Sequence, residues 1–196
     1  MNAGPAGGRE PSGVGTGPGI GPYAADSHSN PGSSGARDAG IAGKAGDLLD
    51  RAAAAGLTLA VAESLTGGRL AAALTARAGA SAVFRGSVTA YATELKAAIL
   101  GVDPDLLARA GAVDGEVARQ MAAGIRRLCG SDLGIATTGV AGPAPQDGKP
   151  VGTVYIAVAD AADAHAALFR FSGDRSTVQD AAVEAALDLM ASHLNG

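Results

Sequence analysis

From residue 42 onward, short apolar runs alternate with longer Ala-rich segments, and this alternation limits the fold more than any other feature of the sequence. The apolar runs contain β-branched residues and predict buried strands, whereas the segments between them predict helices. Strands that alternate with helices are typical of a layered α/β/α domain, with helices on both faces of a mixed sheet. The predicted strands are 57–62, 83–91, 132–138, 151–159 and 165–171, the last two as an antiparallel pair, and the predicted helices are 42–55, 67–78, 94–100, 114–128 and 174–194.

Capping residues and apolar spacing add detail to these helices. Thr93 is suited to cap the helix at 94–100. Pro104 suits the first turn of a further short helix, with Asp103 as its cap. The helix at 114–128 is predicted to be amphipathic, and the apolar residues that share its buried face are Val117, Met121, Ile125 and Leu128.

The first 40 residues differ in composition from the rest of the chain. They contain 11 Gly and 5 Pro, and almost no apolar side chain larger than Ala. Such a segment buries too little surface to offset the entropy that is lost on ordering. The sequence therefore predicts a disordered Gly/Pro/Ser-rich tail at 1–40, without the features of a secretory signal, and one domain at 41–196.

Charge and cysteine content exclude several classes of protein. The formal net charge of -4 argues against binding of nucleic acid through charge, and no apolar run is long enough for a membrane span. Cys129 is the one cysteine, which excludes a disulfide framework within the chain. Glu63, Glu94 and Asp147 have no His or Cys at ligand spacing, so no metal or other cofactor is expected. We expect a cytoplasmic protein with no nucleic-acid or membrane partner.

Ligands of open α/β sheets bind beyond the carboxyl ends of the strands, and the turn at 63–68 is the first segment in such a place. This strand-to-helix turn can point Ser64 at a ligand. Gly67 and Gly68 let the backbone approach closely, and the following helix offers free N–H groups suited to an oxyanion or a phosphate. The alternative is that Ser64 and Thr66 only cap that helix.

The second segment places Tyr91 at a strand end and Lys96 about one turn into the next helix. A lysine there usually points to water, but a buried one has a lowered pKa and can act as a base for a serine. The histidines are poorly placed for a triad, since His28 is in the predicted tail and His165 and His193 suit the surface. If the domain has a serine nucleophile, Lys96 is therefore the better base.

The third segment, 137–143, has two threonines followed by Gly139 and Gly142. A strand that ends in such a loop can form a nest of backbone N–H groups for an anion around Thr138 and Gly139, or the glycines can simply turn the chain. Arg175, at the start of the last predicted helix, carries a planar guanidinium that suits a phosphate.

Several motifs in the same order resemble the CinA C-terminal domain family. They are AESLTGGRLAAAL, AVFRGSVTAYATELKAAILGV, GAV followed by EVARQMA, DLGIATTGVAGP and KPVGTVYIAV. The resemblance runs from about residue 45 to residue 194, so it implies the mixed α/β/α fold of that family for the whole domain. Enzymes of the family are nicotinamide-nucleotide amidohydrolases, active in pyridine nucleotide salvage and NAD metabolism.

The resemblance implies hydrolysis of the carboxamide of nicotinamide mononucleotide to nicotinate mononucleotide and ammonia. The family's proposed nucleophile falls on Ser64, and its Tyr and Lys fall on Tyr91 and Lys96. Its T-G-x-A-G-P loop falls on residues 138–143, and its late G-D-R on residues 173–175.

The mechanism that follows is a hypothesis in which neutral Lys96 takes the proton of Ser64, directly or through Tyr91. N–H groups near residues 66–68, or at residues 138–139, would stabilise the oxyanion. Arg175 or a helix N-terminus would hold the 5′-phosphate. Which anion site serves the oxyanion and which the phosphate stays open.

This sequence departs from the family pattern in several places, most of all in the 144–149 loop. Ala, Pro, Gln and Asp at 144–147 replace a Gly-Gly, and the loop is shorter, which affects substrate preference more than chemistry. Two alternatives follow, a related amidase for another small amide and a catalytically silent nucleotide-binding or regulatory domain. The resemblance also implies a homo-oligomer. The other departures are Ser87 for Gly, Thr93 for Asn and Asp114 for Ser.

Overall fold

The computed structural model describes residue 1 and residues 31–195. In this part of the chain, five strands and six α-helices follow one another in the order that the sequence predicts. The strands are β1 (Leu59–Glu63), β2 (Phe84–Thr89), β3 (Leu133–Gly139), β4 (Thr153–Ala159) and β5 (Ala164–Arg170). The helices are α1 (Pro31–Ala54), α2 (Arg69–Thr75), α3 (Thr93–Ala98), α4 (Pro104–Ala110), α5 (Gly115–Cys129) and α6 (Arg175–His193), with a 3₁₀ turn at Ala80–Ala82.

One mixed sheet has the strand order β2-β1-β3-β4-β5. The strands β2, β1 and β3 are parallel, with Val61 opposite Ser87 on one side and Ile135 on the other. The strands β4 and β5 run antiparallel, and Thr138 of β3 pairs with Tyr155 of β4. The predicted mixed sheet and its antiparallel final pair are therefore confirmed.

The core lies on both faces of the sheet because successive side chains of a strand point to opposite sides. In β1, Leu59 and Val61 belong to the apolar cluster formed with α1, α2 and α6. Ala60 and Ala62 belong to the second cluster, formed with α4 and α5. Helices therefore cover both faces, as the alternating pattern predicts.

The start of α4, on the face of the sheet that α4 and α5 cover, is set by a local side-chain cap. The predicted cap of α4 is confirmed, since the Asp103 side chain accepts a hydrogen bond from the N–H of Asp105 and Pro104 is the first helical residue.

In α5, Val117, Met121 and Ile125 are buried, but Leu128 is 55% exposed. The predicted apolar face is thus wrong at Leu128, which lies in the last turn, where the helix has passed the edge of the core.

The helix α3 begins one residue earlier than predicted. Its N-cap is Ala92, in an extended conformation, and Thr93 is the first helical residue rather than the cap. The helix α2 begins later than predicted, at Arg69, because Gly67 and Gly68 have φ angles of 61° and 98° and so cannot continue a right-handed helix.

The helix α1 begins eleven residues before the predicted start at 42, so residues 31–40 of the predicted tail are helical. Pro31 fits the first turn, where its missing N–H leaves no helical bond unmade. Extending a helix that is already anchored by packing costs little, even where residues 35–40 are exposed. The rest of the predicted tail, residues 2–30, lies outside the described residues.

Among the helices of residues 31–195, none has both the length and the apolar character needed to cross a bilayer.

Candidate active site

The carboxyl ends of β1, β2 and β3 meet at one edge of the sheet because these strands are parallel. A cleft opens at this edge, where such sheets bind ligands. Of the residues predicted for the site, Ser64, Tyr91, Lys96, Thr138, Gly139 and Arg175 line it, whereas Thr66, Gly67 and Gly68 do not. The remaining lining residues are Leu65, Ala112, Val113, Val140, Ala141, Gly142, Ala144 and Gln146.

Lys96 is buried at the base of this cleft, with only 1% of its surface exposed. Its Nζ donates a hydrogen bond to the carbonyl oxygen of Ala90 at 2.8 Å. Burial lowers the Lys96 pKa from 10.5 to about 8, against the opposing effect of the carboxylates of Asp147 and Glu94. At pH 7 roughly a tenth of such a lysine is neutral, so it can accept a proton.

Ser64 follows the last residue of β1 and continues the sheet by one hydrogen bond. Its N–H donates to the carbonyl oxygen of Thr137 at 2.9 Å, which fixes the backbone at the sheet edge. The side chain is half-buried and faces the cleft that Lys96 also lines. Within residues 31–195, the Ser64 hydroxyl makes no hydrogen bond, and the N–H groups of Leu65 and Thr66 have no acceptor. A serine hydroxyl and free amide donors thus adjoin each other.

The start of α2 is capped by Glu63, not by Ser64 or Thr66 as the alternative interpretation holds. The buried Glu63 carboxylate accepts hydrogen bonds from the N–H groups of Gly68, Leu70 and Ala71, at 3.0, 3.1 and 2.9 Å. These donors are therefore committed within the protein, and the N-terminus of α2 is closed to a phosphate or an oxyanion. The sequence offered a signal for this cap, because an acidic residue is favourable just before a helix N-terminus.

Two further predicted anion donors are also used within the protein. The Gly67 N–H donates to the carbonyl oxygen of Ser64 at 3.2 Å, and the Thr66 hydroxyl is 2.8 Å from that of Thr137, in a buried pair. Of the predicted donors at 66–68, only the Thr66 N–H has no acceptor among the described residues. The N–H groups of Gly67 and Gly68, predicted to be available for an anion, are therefore already bonded to a carbonyl and a carboxylate of the turn itself.

Thr138 holds a neighbouring segment in place. Its buried hydroxyl donates to the carbonyl oxygen of Ala112 at 2.7 Å, so it connects β3 to the segment between α4 and α5. Gly139 lies in close contact with β4, since a Cβ there would come within 2.6 Å of the Thr153 carbonyl oxygen. The hydroxyl of Thr138 therefore shapes the cleft wall.

Arg175 connects two sides of the cleft mouth. It is the first residue of α6, which Asp174 caps by accepting a hydrogen bond from the Thr177 N–H. Its guanidinium donates to the carbonyl oxygen of Gly142 at 2.7 Å and to the Tyr91 hydroxyl at 2.5 Å. Five N–H donors are available on a guanidinium, so donors remain for a ligand.

The loop at 144–149 contains a tight turn that was not predicted from the sequence. Gln146 and Lys149 exchange two backbone hydrogen bonds, and Asp147 and Gly148 between them have φ angles of 51° and 68°. The Asp147 carboxylate accepts a hydrogen bond from the Ala112 N–H at 2.8 Å. An Asp-Gly pair is the usual signal for such a turn, but its contact with Ala112 is long-range and has no local signature.

The histidines of the described chain lie away from the cleft. His165 lies 3.5 Å from a carboxylate oxygen of Asp163, and His193 lies 3.1 Å from one of Asp160. His28 lies outside the described residues. No group of three or more His, Cys, Asp or Glu side chains in residues 31–195 could hold a metal ion.

The fold and the cleft define an α/β domain with a buried lysine and a serine at one sheet edge. A model of the CinA C-terminal domain matches residues 42–194, and the chain belongs to this family. A CinA-like protein of Frankia casuarinae is 52% identical over 151 residues, which are 77% of this chain and 34% of that protein. A putative competence-damage inducible protein of Desulforamulus reducens is 47% identical over 142 residues, 72% of this chain and 34% of that protein. The chain thus spans about a third of the length of the curated relatives that it matches.

Solved structures agree with this assignment. A CinA superfamily protein of Klebsiella pneumoniae has a TM-score of 0.77 at 35% identity, and the match covers 79% of this chain and 98% of that one. A CinA superfamily protein of Escherichia coli has a TM-score of 0.74 at 36% identity, over 77% of this chain and 90% of that one. The predicted family and fold are therefore confirmed.

Proposed function

We propose that this domain hydrolyses the carboxamide of nicotinamide mononucleotide to nicotinate mononucleotide and ammonia. The observation that carries the proposal is Lys96, which is buried in the cleft that Ser64 lines and has its pKa lowered to about 8. A surface lysine would be almost fully protonated at neutral pH and could not serve as a base. Burial of a lysine is costly, and a lowered pKa beside a nucleophile is typical of catalytic sites.

The reaction begins when neutral Lys96 takes the proton of the Ser64 hydroxyl, directly or through Tyr91. The Ser64 oxygen then attacks the amide carbon, and the Leu65 N–H is the nearest free donor in sequence for the resulting oxyanion. Protonated Lys96 returns its proton to the leaving nitrogen, and ammonia departs as the C–N bond breaks. Water then hydrolyses the ester on Ser64, with Lys96 again as the base.

Arg175 is the group that we propose for the 5′-phosphate. The alternative, the N-terminus of α2, is closed by the carboxylate of Glu63. Arg175 stands at the cleft mouth and keeps free N–H donors after its bonds to Tyr91 and Gly142. This choice separates the two anions, with the phosphate at the mouth and the oxyanion at the sheet edge.

A second candidate function is a related amidase that acts on another small amide. The 144–149 loop favours it, because Gln146 lines the cleft and Asp147 is fixed over Ala112 by a hydrogen bond. These residues stand where the family pattern has small glycines, so they alter the shape and charge of the mouth. The third reading, a silent nucleotide-binding domain, would need no lowered pKa at Lys96.

To test the substrate, the purified chain is incubated with nicotinamide mononucleotide. Proton NMR follows the conversion of the mononucleotide, and ammonia is measured in parallel. We expect ammonia and nicotinate mononucleotide to form in equal amounts. Nicotinamide riboside, which lacks the phosphate, is the matched substrate control and should react much more slowly. If the folded protein binds the mononucleotide without releasing ammonia, the silent domain is correct. If it neither binds nor converts it, nicotinamide mononucleotide is not the substrate.

A further inference from the structure

We propose that Glu63 is a positioning residue for Ser64, which keeps the 64–68 turn in the geometry that presents the nucleophile and the Leu65 N–H to the cleft. The inference rests on the proposed function, since it assigns Ser64 the nucleophilic role. Glu63 does not line the cleft itself. It acts on the reaction only through the backbone of the turn that follows it.

The Glu63 carboxylate is buried, and a buried charge is destabilising unless hydrogen-bond donors replace the water that it loses. The side chain has 0% exposure, and no ion pair to it occurs in residues 31–195. Three N–H groups at the start of α2 supply the compensation. A buried charge is costly to move away from its donors, so it fixes the distance between the end of β1 and the start of α2. Ser64 lies between these two points.

Two other buried contacts hold the same turn from different sides. The side-chain amide of Gln179, on α6, donates to the carbonyl oxygen of Leu65 at 2.7 Å. The hydroxyl pair of Thr66 and Thr137 connects the turn to β3. The turn is thus held by α2, α6 and β3 together, and Glu63 supplies the only one of these contacts with a formal charge.

A turn held in this way serves the chemistry because catalysis depends on small distances. A misplacement of about 1 Å can lower a rate by about 100-fold even when the substrate still binds. Replacement of the Glu63 carboxylate by an amide leaves at least one N–H group at the start of α2 without its acceptor and lets the turn relax toward other acceptors. The expected effect is therefore on kcat, while KM and the titration of Lys96 stay as they are.

The test compares Glu63→Gln with Ser131→Ala in the full chain. Gln keeps the size of Glu63 but presents an NH₂ group to amide donors. Ser131 is also buried and donates to the Leu133 carbonyl oxygen at 2.8 Å, at the amino end of β3 and far from the cleft. We expect Glu63→Gln to lower kcat at least about 30-fold, with KM within about threefold and the pH midpoint unchanged. Ser131→Ala should lower the melting temperature and keep kcat.

Gln179→Met is a second variant that keeps the test decisive if Glu63→Gln fails to fold. It removes the contact with Leu65 at nearly constant volume, and the same fall in kcat without a change in KM is expected. A kcat within threefold of the native value in a folded variant of lowered stability would overturn the inference. A rise in KM alone, or a shift of the pH midpoint, would overturn it as well.

A substrate-independent measurement separates this inference from the proposed function. A fluorophosphonate forms an Oγ–P bond with an activated serine and releases fluoride, while the base takes the proton. Mass spectrometry then gives the rate of labelling at Ser64. Native protein that labels but releases no ammonia contradicts the substrate, and slower labelling of Glu63→Gln still supports the inference. Equal labelling rates, or no labelling of native Ser64, would contradict it.

Discussion

The Lys96 Nζ lies 2.8 Å from the carbonyl oxygen of Ala90, so the end of β2 directly holds the buried amine that follows it in α3. A carbonyl oxygen accepts a hydrogen bond from an ammonium and, more weakly, from a neutral amine. The contact therefore orients Lys96 in both protonation states, which a base that takes and returns a proton requires. A carboxylate in this place would favour the charged form far more strongly, because it would add a full negative charge.

The first prediction concerns the pH dependence of the native protein. Lys96 acts as a base only when neutral, and its pKa is lowered to about 8. The value of kcat/KM should therefore increase with pH, about tenfold per pH unit below the midpoint, and level off above it. Initial rates between pH 6 and 10 check this. A flat profile across pH 8 would mean that Lys96 is not the titrating base.

Removal of the negative charge of Asp147 should move the midpoint of the pH profile of kcat/KM. The Asp147 carboxylate raises the Lys96 pKa, so Asp147→Asn lowers that pKa further and moves the rate midpoint to lower pH. At pH 7 the rate should rise about twofold or more, because more Lys96 is neutral. Asn still accepts the Ala112 N–H, so the loop keeps its contact. Asp163→Asn, on the exposed turn before β5, is the control and should leave the midpoint in place.

Arg175 should act on substrate binding rather than on bond breaking. Arg175→Ala is expected to raise KM for nicotinamide mononucleotide at least about tenfold, since a charge-assisted phosphate contact is lost. The matched control is Arg119→Ala, whose guanidinium pairs with Glu116 on α5. Steady-state kinetics with the mononucleotide and with the unphosphorylated riboside check the assignment. An equal loss for both substrates would place the phosphate elsewhere.

Close packing of Asp147 on Gly111 predicts an effect on stability. Gly111 has a φ of 75°, and a Cβ there would lie 2.5 Å from the Asp147 Cγ. Gly79 has a φ of 85° and a ψ of 0° with open space around it, so Gly79→Ala measures the strain of a left-handed backbone without a clash, whereas Gly111, with a ψ of -177°, adds both the clash and a conformation that is essentially restricted to glycine. We expect about 1 kcal/mol of lost unfolding free energy for Gly79→Ala and about 2 for Gly111→Ala. Urea unfolding gives both values, and equal losses would show that the Asp147 loop moves aside freely.

The layered fold could be predicted from the sequence because local patterns carry it. Apolar runs identify the strands, and the order of strands and helices limits the topology. The placement of the candidate residues at strand ends follows from the same reasoning. Ser64, Tyr91, Lys96 and Arg175 share one cleft because parallel strands end at the same edge.

The contacts that decide the role of each residue could not be predicted in the same way. The burial of Lys96 depends on the path of the chain after the six-residue α3, and the acceptor at Ala90 is a backbone group without a sequence signature. The bond from Asp147 to Ala112 joins residues 35 positions apart. Glu63 carries the general signal of an acidic residue before a helix, but its bonds reach N–H groups five to eight residues further along the chain, so its role as the cap could not be assigned from the sequence.

The measurement that tests the central claim most directly is ammonia release from nicotinamide mononucleotide by the native chain, Ser64→Ala and Lys96→Met, without added metal and at pH 8. The variants should be shown to be folded by circular dichroism and to bind the mononucleotide. The account predicts turnover by the native protein and a loss of at least about 100-fold in each variant. Turnover that survives in either folded variant would contradict the assignment of Ser64 as nucleophile and Lys96 as its base.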